Sequence, residues 1–355
     1  MKISKIPGLG RFGVFIDDVN LQTITHDEWM EIGKIHLESL VTIIRNTNLT
    51  HERYSSLIAK WGENRYSYDA TLLKKYNESN FFALIMRALN DDATMEPRDV
   101  EYFKMVQRIM LNSNSSIIKV SGQKDENGKP LGLFAEGELL WHSNESGSLT
   151  HVPGVSLLAV ENVIGSATGF VTTTDWYESQ SDAFRSELDE MICIHEFSPG
   201  KINPGLNEVQ DSIMYGNMCP VNGIEIPLVI QSPGGIRGLH YSVNTISSIK
   251  GMSREESEKI FSIINDGIFT ENNIYDHWYQ SNSDLCLFDN TITLHRRLGD
   301  IKKRLCYRCQ FDYTDLQSEP YIPYFQEPYI SKYIQNINDI VTTVGIKNFK
   351  LPELK

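Results

Sequence analysis

The amino-acid sequence predicts a mainly β fold, a sandwich or barrel, flanked by α-helices. Two observations carry this. From residue 115 onward the chain breaks into short β-rich runs separated by Gly, Asn and Pro, the texture of a sheet protein with frequent turns. Before that point, helical spacing surrounds one β-branched run, so the first part of the chain is mixed α and β.

Thr25-His26-Asp27-Glu28 has the form of a capping box, in which the Thr hydroxyl and the Glu carboxylate each accept from an N–H that a helix start leaves free. Apolar Trp29, Ile32, Leu37, Leu40 and Val41 follow at near-helical spacing, so a helix opens there. Val41-Thr42-Ile43-Ile44-Arg45 is β-branched enough to be a strand, 50–61 reads as a helix ending before Gly62, and 99–112 as another. The later strands are expected at 116–120, 154–160, 169–174, 224–231, 285–288 and 305–313. Two helices interrupt them. One covers 181–191, and the other is opened by a second capping box, Ser253-Arg254-Glu255-Glu256, with Ile260, Ile263 and Ile264 expected to face inward. The stretch 197–220, rich in Gly, Pro and Asn, is too long for a simple connection and is read as a lid over a site. The tail from 319 carries Tyr321, Tyr324, Phe325 and Tyr329 and is expected to pack on the body.

At 355 residues the chain can bury a sizeable core, and 41% hydrophobic with 22% charged residues is the balance of a globular protein rather than a disordered one. A formal net charge of -13 without a basic run excludes a phosphate backbone as partner, so no nucleic acid is expected. Residues 1–13 hold no apolar stretch of signal-peptide length, and no apolar run is long enough to span a bilayer. The expectation is a soluble cytoplasmic protein with no membrane partner; the sequence leaves a homo-oligomer open. The five cysteines lack disulfide-framework spacing. Cys306 and Cys309 form a CxxC, but they fall in a strand-like run with no second ligand pair, so buried thiols are expected.

Two histidines far apart in sequence carry the chemistry: His142 in Trp141-His142-Ser143-Asn144, and His295 in Leu294-His295-Arg296-Arg297. Residues two apart on a strand share a face, so His142 and Asn144 can both project inward at a strand end while Ser143 points away. His295 could close the site from another strand. Two histidines and a carboxylate with open positions mark non-haem Fe(II) oxygenases, and here the carboxylate position holds the amide of Asn144. By the same parity Arg304, Cys306 and Arg308 share a face, so two guanidinium groups can line one cavity. A buried guanidinium calls for an anion, and a carboxylate fits its fork best. Each signal alone has a plainer reading, a satisfied core histidine or a surface ion pair. Their combination points to a metal and a carboxylate-bearing cosubstrate.

In this order the landmarks resemble the taurine dioxygenase family of Fe(II)/2-oxoglutarate oxygenases. The likeness runs from Gly13-Val14-Phe15-Ile16-Asp17 and Leu49-Thr50-His51-Glu52 up to Trp61-Gly62, through Trp141-His142-Ser143-Asn144 (the family's Trp-His-x-Asp) and Pro153-Gly154-Val155-Ser156-Leu157-Leu158, to Gly165-Ser166-Ala167-Thr168-Gly169-Phe170, Ile249-Lys250-Gly251-Met252-Ser253 and Asp289-Asn290 ahead of His295. The resemblance implies a double-stranded β-helix, or jelly roll. It implies one oxygenase domain over 1–355, with a helix-rich part at 1–114, a core at 115–318 carrying a lid insertion at about 175–222, and an extension at 319–355. It further implies His142 and His295 as iron ligands, Arg304 and Thr168 on the distal carboxylate of 2-oxoglutarate, Arg308 toward an acidic group of a small-molecule substrate, and O2 as oxidant. The departure at Asn144 leaves three readings. In the first, Asn144 still coordinates or gives way to water, and a weakened site hydroxylates or desaturates a small acidic or zwitterionic molecule. In the second, chloride takes the vacated anionic position, as in related halogenases. In the third, the chain is a catalytically impaired jelly-roll binding protein. Glu145 is not expected to substitute, since on a continuing strand it would face away. A zinc or other metal hydrolase would need a water-activating base that the sequence does not nominate.

Overall fold

The computed structural model describes residues 1–62, 72–78, 81–111, 117–136, 139–196 and 223–345. Seven strands form the larger sheet, in the order β1 (Lys2–Lys5), β2 (Val14–Asp17), β3 (Val41–Ile44), β14 (Leu285–Asp289), β6 (Gly154–Glu161), β16 (Leu305–Phe311) and β4 (Ile118–Ser121). A facing sheet has four: β13 (Ile274–Trp278), β7 (Ser166–Thr172), β15 (Thr293–Gly299) and β5 (Leu139–His142). Neighbours in both sheets are antiparallel except β2 and β3. A three-stranded sheet of β12 (Ile246–Ile249), β8 (Ile192–His195) and β9 (Ile224–Pro227), and the pair β10 (Val229–Gln231) and β11 (Arg237–Leu239), complete the strands.

Strand alternation divides each sheet into two faces, and the sequence supplies apolar residues to both. Val41, Ile43, Val155, Leu157, Ala159, Cys286, Phe288 and Cys306 of the large sheet meet Phe170 of β7 in the core between the sheets. Ile44, Leu158, Leu285, Leu287, Cys309 and Phe311 turn the other way, under Trp29 and Ile32 of α1 (His26–Ser39), Tyr54, Leu57 and Ile58 of α2 (His51–Ile58), and Trp61. Each such side chain contributes on the order of 1.5–3 kcal/mol by leaving water, which is why a sheet apolar on both faces must be covered on both. His36 is the polar exception under α1. Its ring nitrogens lie 3.2 Å from the Thr42 hydroxyl and 2.8 Å from that of Tyr313, and burial pushes its pKa down to about 3.

Further helices frame the sandwich. Helices α3 (Phe81–Leu89) and α4 (Pro97–Ile109) pack on each other and on Ile118. Two short helices, α5 (Thr174–Ser179) and α6 (Asp182–Glu190), lead from β7 into β8. Helix α7 (Arg254–Ile268) covers Val171 and Leu294 on the outer face of the small sheet, and α8 (Tyr329–Val344) docks Tyr333, Ile334 and Ile337 against Ile226, Ile230 and Ile292. The tail therefore packs on the body, as expected. Both predicted capping boxes form, at Thr25 and at Ser253. None of the described helices is long and apolar enough to cross a membrane.

Several expectations need correction. Ile264 is buried as expected, but Ile263 is 48% exposed, and Ser257, Phe261 and Ile268 complete the inward stripe of α7. The run 224–231 is two strands in different sheets, because Pro227 has no N–H to give and Leu228 donates to the carbonyl of Met191. The run 169–174 starts earlier, at Ser166, and stops at Thr172, where α5 begins two residues later. Cys193, Cys286, Cys306 and Cys309 are buried thiols outside any disulfide, in line with the expectation; Cys219 and the stretch 197–220 lie outside the described residues.

Candidate active site

Between the facing sheets lies a cavity of about 430 Å³, its mouth included, walled by apolar Val120, Val155, Leu157 and Phe288. All six side chains singled out from sequence line it: His142, Asn144, Thr168, His295, Arg304 and Arg308. Among the described lining residues there is no Asp or Glu.

The two histidines meet because β5 and β15 are neighbours in register, with His295 directly opposite His142. Their ring centroids are 4.1 Å apart, and the Phe288 ring closes one side at 4.6 Å from His295. His142 Nδ1 lies 2.6 Å from the carbonyl of Leu140, a contact only a protonated Nδ1 can make, so Nε2 keeps its lone pair. Burial pushes the His142 pKa down to about 4, with Arg308 and Arg297 adding to the effect against the Leu140 contact. Burial first, then His142 and Arg308, holds His295 well below its ordinary value. Both imidazoles are therefore neutral at pH 7, the state that donates to a metal.

Asn144 sits just past the end of β5 and is 8% exposed. Its main chain is held at two points by one side chain. Asn290 Oδ1 accepts from the Asn144 N–H at 2.7 Å, while Asn290 Nδ2 donates to the carbonyls of Asn144 and Val152, both at 2.9 Å. The side-chain Nδ2 of Asn144 is buried without a hydrogen-bond partner among the described residues. No group of three His, Cys, Asp or Glu suited to a metal occurs among those residues either. The donor set at this corner is thus two neutral imidazoles and one amide. It fits a divalent cation, with less charge than a set completed by a carboxylate. Glu145 does stay out of this corner, for a different reason from the one expected: β5 stops at His142, Glu145 adopts a left-handed turn at φ 59°, and its carboxylate accepts from Gln310 Nε2 at 3.1 Å.

The other end of the cavity is built around Arg304, which is 2% exposed and, among the described residues, pairs with no carboxylate. Its Nη2 donates to the Thr168 hydroxyl at 3.2 Å, its Nε to Cys306 Sγ at 3.2 Å, and its Nη1 is buried without a partner. Arg308, four residues on and within β16, is half-buried in the cavity wall, with its Nε unpartnered among the described residues. A buried cation with an orphaned donor fits the distal carboxylate of a 2-oxo diacid.

Sequence reasoning missed Arg296, Arg297, Asn290 and Tyr279. The first two line the cavity but are engaged elsewhere. Arg296 pairs with Asp276 at 2.9 Å and lies over the Trp141 ring, in space left by Gly169, where a Cβ would stand 2.3 Å from the Asp276 carboxylate. Arg297 donates to the carbonyls of Phe134 and Glu136. Their place beside His295 was the available signal. Asn290 was noted only as a landmark, and Tyr279 carried no signal.

Two largely antiparallel sheets closing on a cavity with paired histidines define a jelly-roll of the dioxygenase type, and similar solved structures share this fold. They include AAD-2 in complex with Mn(II) and N-oxalylglycine (TM-score 0.60, 17% identity, 91% of this chain and 100% of that one). A taurine dioxygenase from Burkholderia xenovorans also matches (0.59, 17%, 96% and 99%), as does a putative alpha-ketoglutarate-dependent taurine dioxygenase from the same organism (0.57, 20%, 87% and 92%). A comparison with curated protein sequences gave no match. The family model "Taurine catabolism dioxygenase TauD, TfdA family" matches residues 3–310. The chain belongs to that family, and with it to the Fe(II)/2-oxoglutarate-dependent dioxygenases.

Proposed function

We propose that this protein couples oxidative decarboxylation of 2-oxoglutarate to C–H oxidation, in the first instance hydroxylation, of a small acidic or zwitterionic substrate, and that residues 1–355 act as one oxygenase domain. The observation that carries the reading is the buried Arg304, which among the described residues pairs with no carboxylate and keeps Nη1 unpartnered, in the same cavity as two neutral, register-paired histidines. The similar AAD-2 was crystallised with a divalent metal and an oxalyl diacid, which is the pair of groups this cavity suits.

On this reading His142 and His295 hold Fe(II), and Asn144 offers its amide oxygen as a weak third donor or leaves that position to water. Iron, with 2-oxoglutarate and O2, supplies the oxidising power while the diacid becomes succinate and carbon dioxide. The chain's own part is placement. Arg304 and Thr168 fix the distal carboxylate, Arg308 turns an acidic substrate group toward the metal corner, and Val155, Leu157 and Phe288 keep the walls dry. The Leu140 carbonyl holds the proton on His142 Nδ1, so that Nε2 faces the metal as a lone pair.

One observation favours a second reading, chlorination. The described lining residues provide no carboxylate, so an exogenous anion at the metal would face no competing acid. The side chain of Asn144 occupies part of that position, which keeps hydroxylation first.

Calorimetric titration of 2-oxoglutarate into anaerobic, Fe(II)-loaded protein is expected to show metal-dependent binding, followed on adding O2 by succinate release. Absence of metal-dependent binding would sink the proposal, and product analysis with and without chloride separates the two chemistries.

A further inference from the structure

We propose that Tyr279 is a positioning residue for cosubstrate binding: its phenol saturates the acceptor side of the Thr168 hydroxyl, so that the Thr168 proton is aimed at the distal carboxylate beside Arg304. The proposal rests on the 2-oxoglutarate reading above and deepens it.

The geometry is a chain of three buried polar groups, Tyr279, Thr168 and Arg304, at 1%, 3% and 2% exposure. Tyr279 Oη lies 2.8 Å from Thr168 Oγ1, and Arg304 Nη2 donates to that same oxygen at 3.2 Å. A guanidinium can only donate, so one lone pair of Oγ1 is committed to Arg304. If the phenol donates too, both lone pairs are filled, and the hydroxyl hydrogen has to point away from both donors. Thr168 lines the cavity and Tyr279 does not, so the open direction is the cavity.

Two observations support the phenol as donor. Besides Thr168, its oxygen has a hydrogen-bond contact with the thiol of Cys286, at 3.8 Å, a weak acceptor. Burial holds the Tyr279 phenol well above its ordinary pKa, so its proton is retained. The guanidinium of Arg304 sits 5.3 Å from the Tyr279 ring centroid, so the ring also braces the cation from behind, where its quadrupole favours positive charge. The clamp for a dicarboxylate is then Arg304 and an oriented Thr168, with Tyr279 setting the orientation from outside the cavity.

The test compares two probes on Mn(II)-loaded protein by calorimetry. One is 2-oxoglutarate; the other is 2-oxopentanoate, which has a methyl group in place of the distal carboxylate. Tyr279→Phe removes only the hydroxyl. It is expected to weaken 2-oxoglutarate about tenfold while 2-oxopentanoate stays within about twofold. Equal weakening of both probes means a general packing role and overturns the proposal, as does unchanged binding of 2-oxoglutarate. Either result leaves the 2-oxoglutarate reading standing, whereas wild-type protein that fails to bind 2-oxoglutarate removes that reading and the proposal with it. Should Tyr279→Phe not fold, judged by circular dichroism, Thr168→Val decides: selective loss of 2-oxoglutarate is required, and wild-type selectivity overturns the proposal.

Discussion

The two ends of the cavity are built on opposite principles. At the arginine end a full charge is buried with its donors only partly satisfied, so the protein carries a standing demand for an anion. At the histidine end every donor is neutral, and the third position holds an amide. The first end can select its ligand unaided. The second gains most from a ligand that arrives with charge of its own. A dicarboxylate held at Arg304 would bring that charge, so metal and cosubstrate should bind with mutual reinforcement.

The comparison breaks most readily at Arg304. Arg304→Met should weaken 2-oxoglutarate by on the order of 100-fold or more, because a charge-assisted anion contact in a dry site is lost outright; calorimetry on the metal-loaded protein reads this directly. Next comes the support for the other end. Asn290→Ala leaves the buried N–H and carbonyl of Asn144 unpaired, and denaturant unfolding should show a loss of about 2 kcal/mol. Restoring charge sharpens the contrast instead: Asn144→Asp should tighten Mn(II) binding about tenfold in the absence of 2-oxoglutarate, followed by electron paramagnetic resonance, and should shrink the reinforcement between the two ligands. A further effect lies outside the cavity and serves as a control on the fold. The folded-state pKa of His36, about 3, is below its ordinary 6.5, so the unfolded chain binds the extra proton first. Stability conferred by neutral His36 is present above pH 6.5 and falls by about 1.4 kcal/mol per unit as pH drops from there toward 3. His36→Gln should remove that part of the slope in urea unfolding measured from pH 7 to 5.

Much of this was legible in the residues themselves. Capping boxes are local, so Thr25 and Ser253 could be read as helix starts with no knowledge of the fold. Strand parity put Arg304, Cys306 and Arg308 on one face, and both arginines do line the cavity. Parity could not foresee Ile263, because adjacent positions on a helix point about 100° apart and only packing decides which turns inward. Here Ser257 takes the buried place, its hydroxyl accepting from the Ile249 N–H. The meeting of His142 and His295 depends on which distant strands pair, which no local pattern encodes; their chemistry suggested one site, and likeness to a family supported it. Asn290 and Tyr279 act entirely through tertiary contacts, and their sequence surroundings hold no sign of it.

The pairing of β5 with β15 separates what in this site is fixed from what is free. The spacing of the two histidines is dictated by main-chain hydrogen bonding across the ladder, so any one-residue insertion in either strand would turn one imidazole out of the cavity. The third position lies beyond the last paired residue, on a turn secured through its backbone by Asn290. Its side chain can be exchanged without disturbing the ladder or the turn. Chemistry at that corner can therefore diverge one residue at a time, while the scaffold that presents it stays the same.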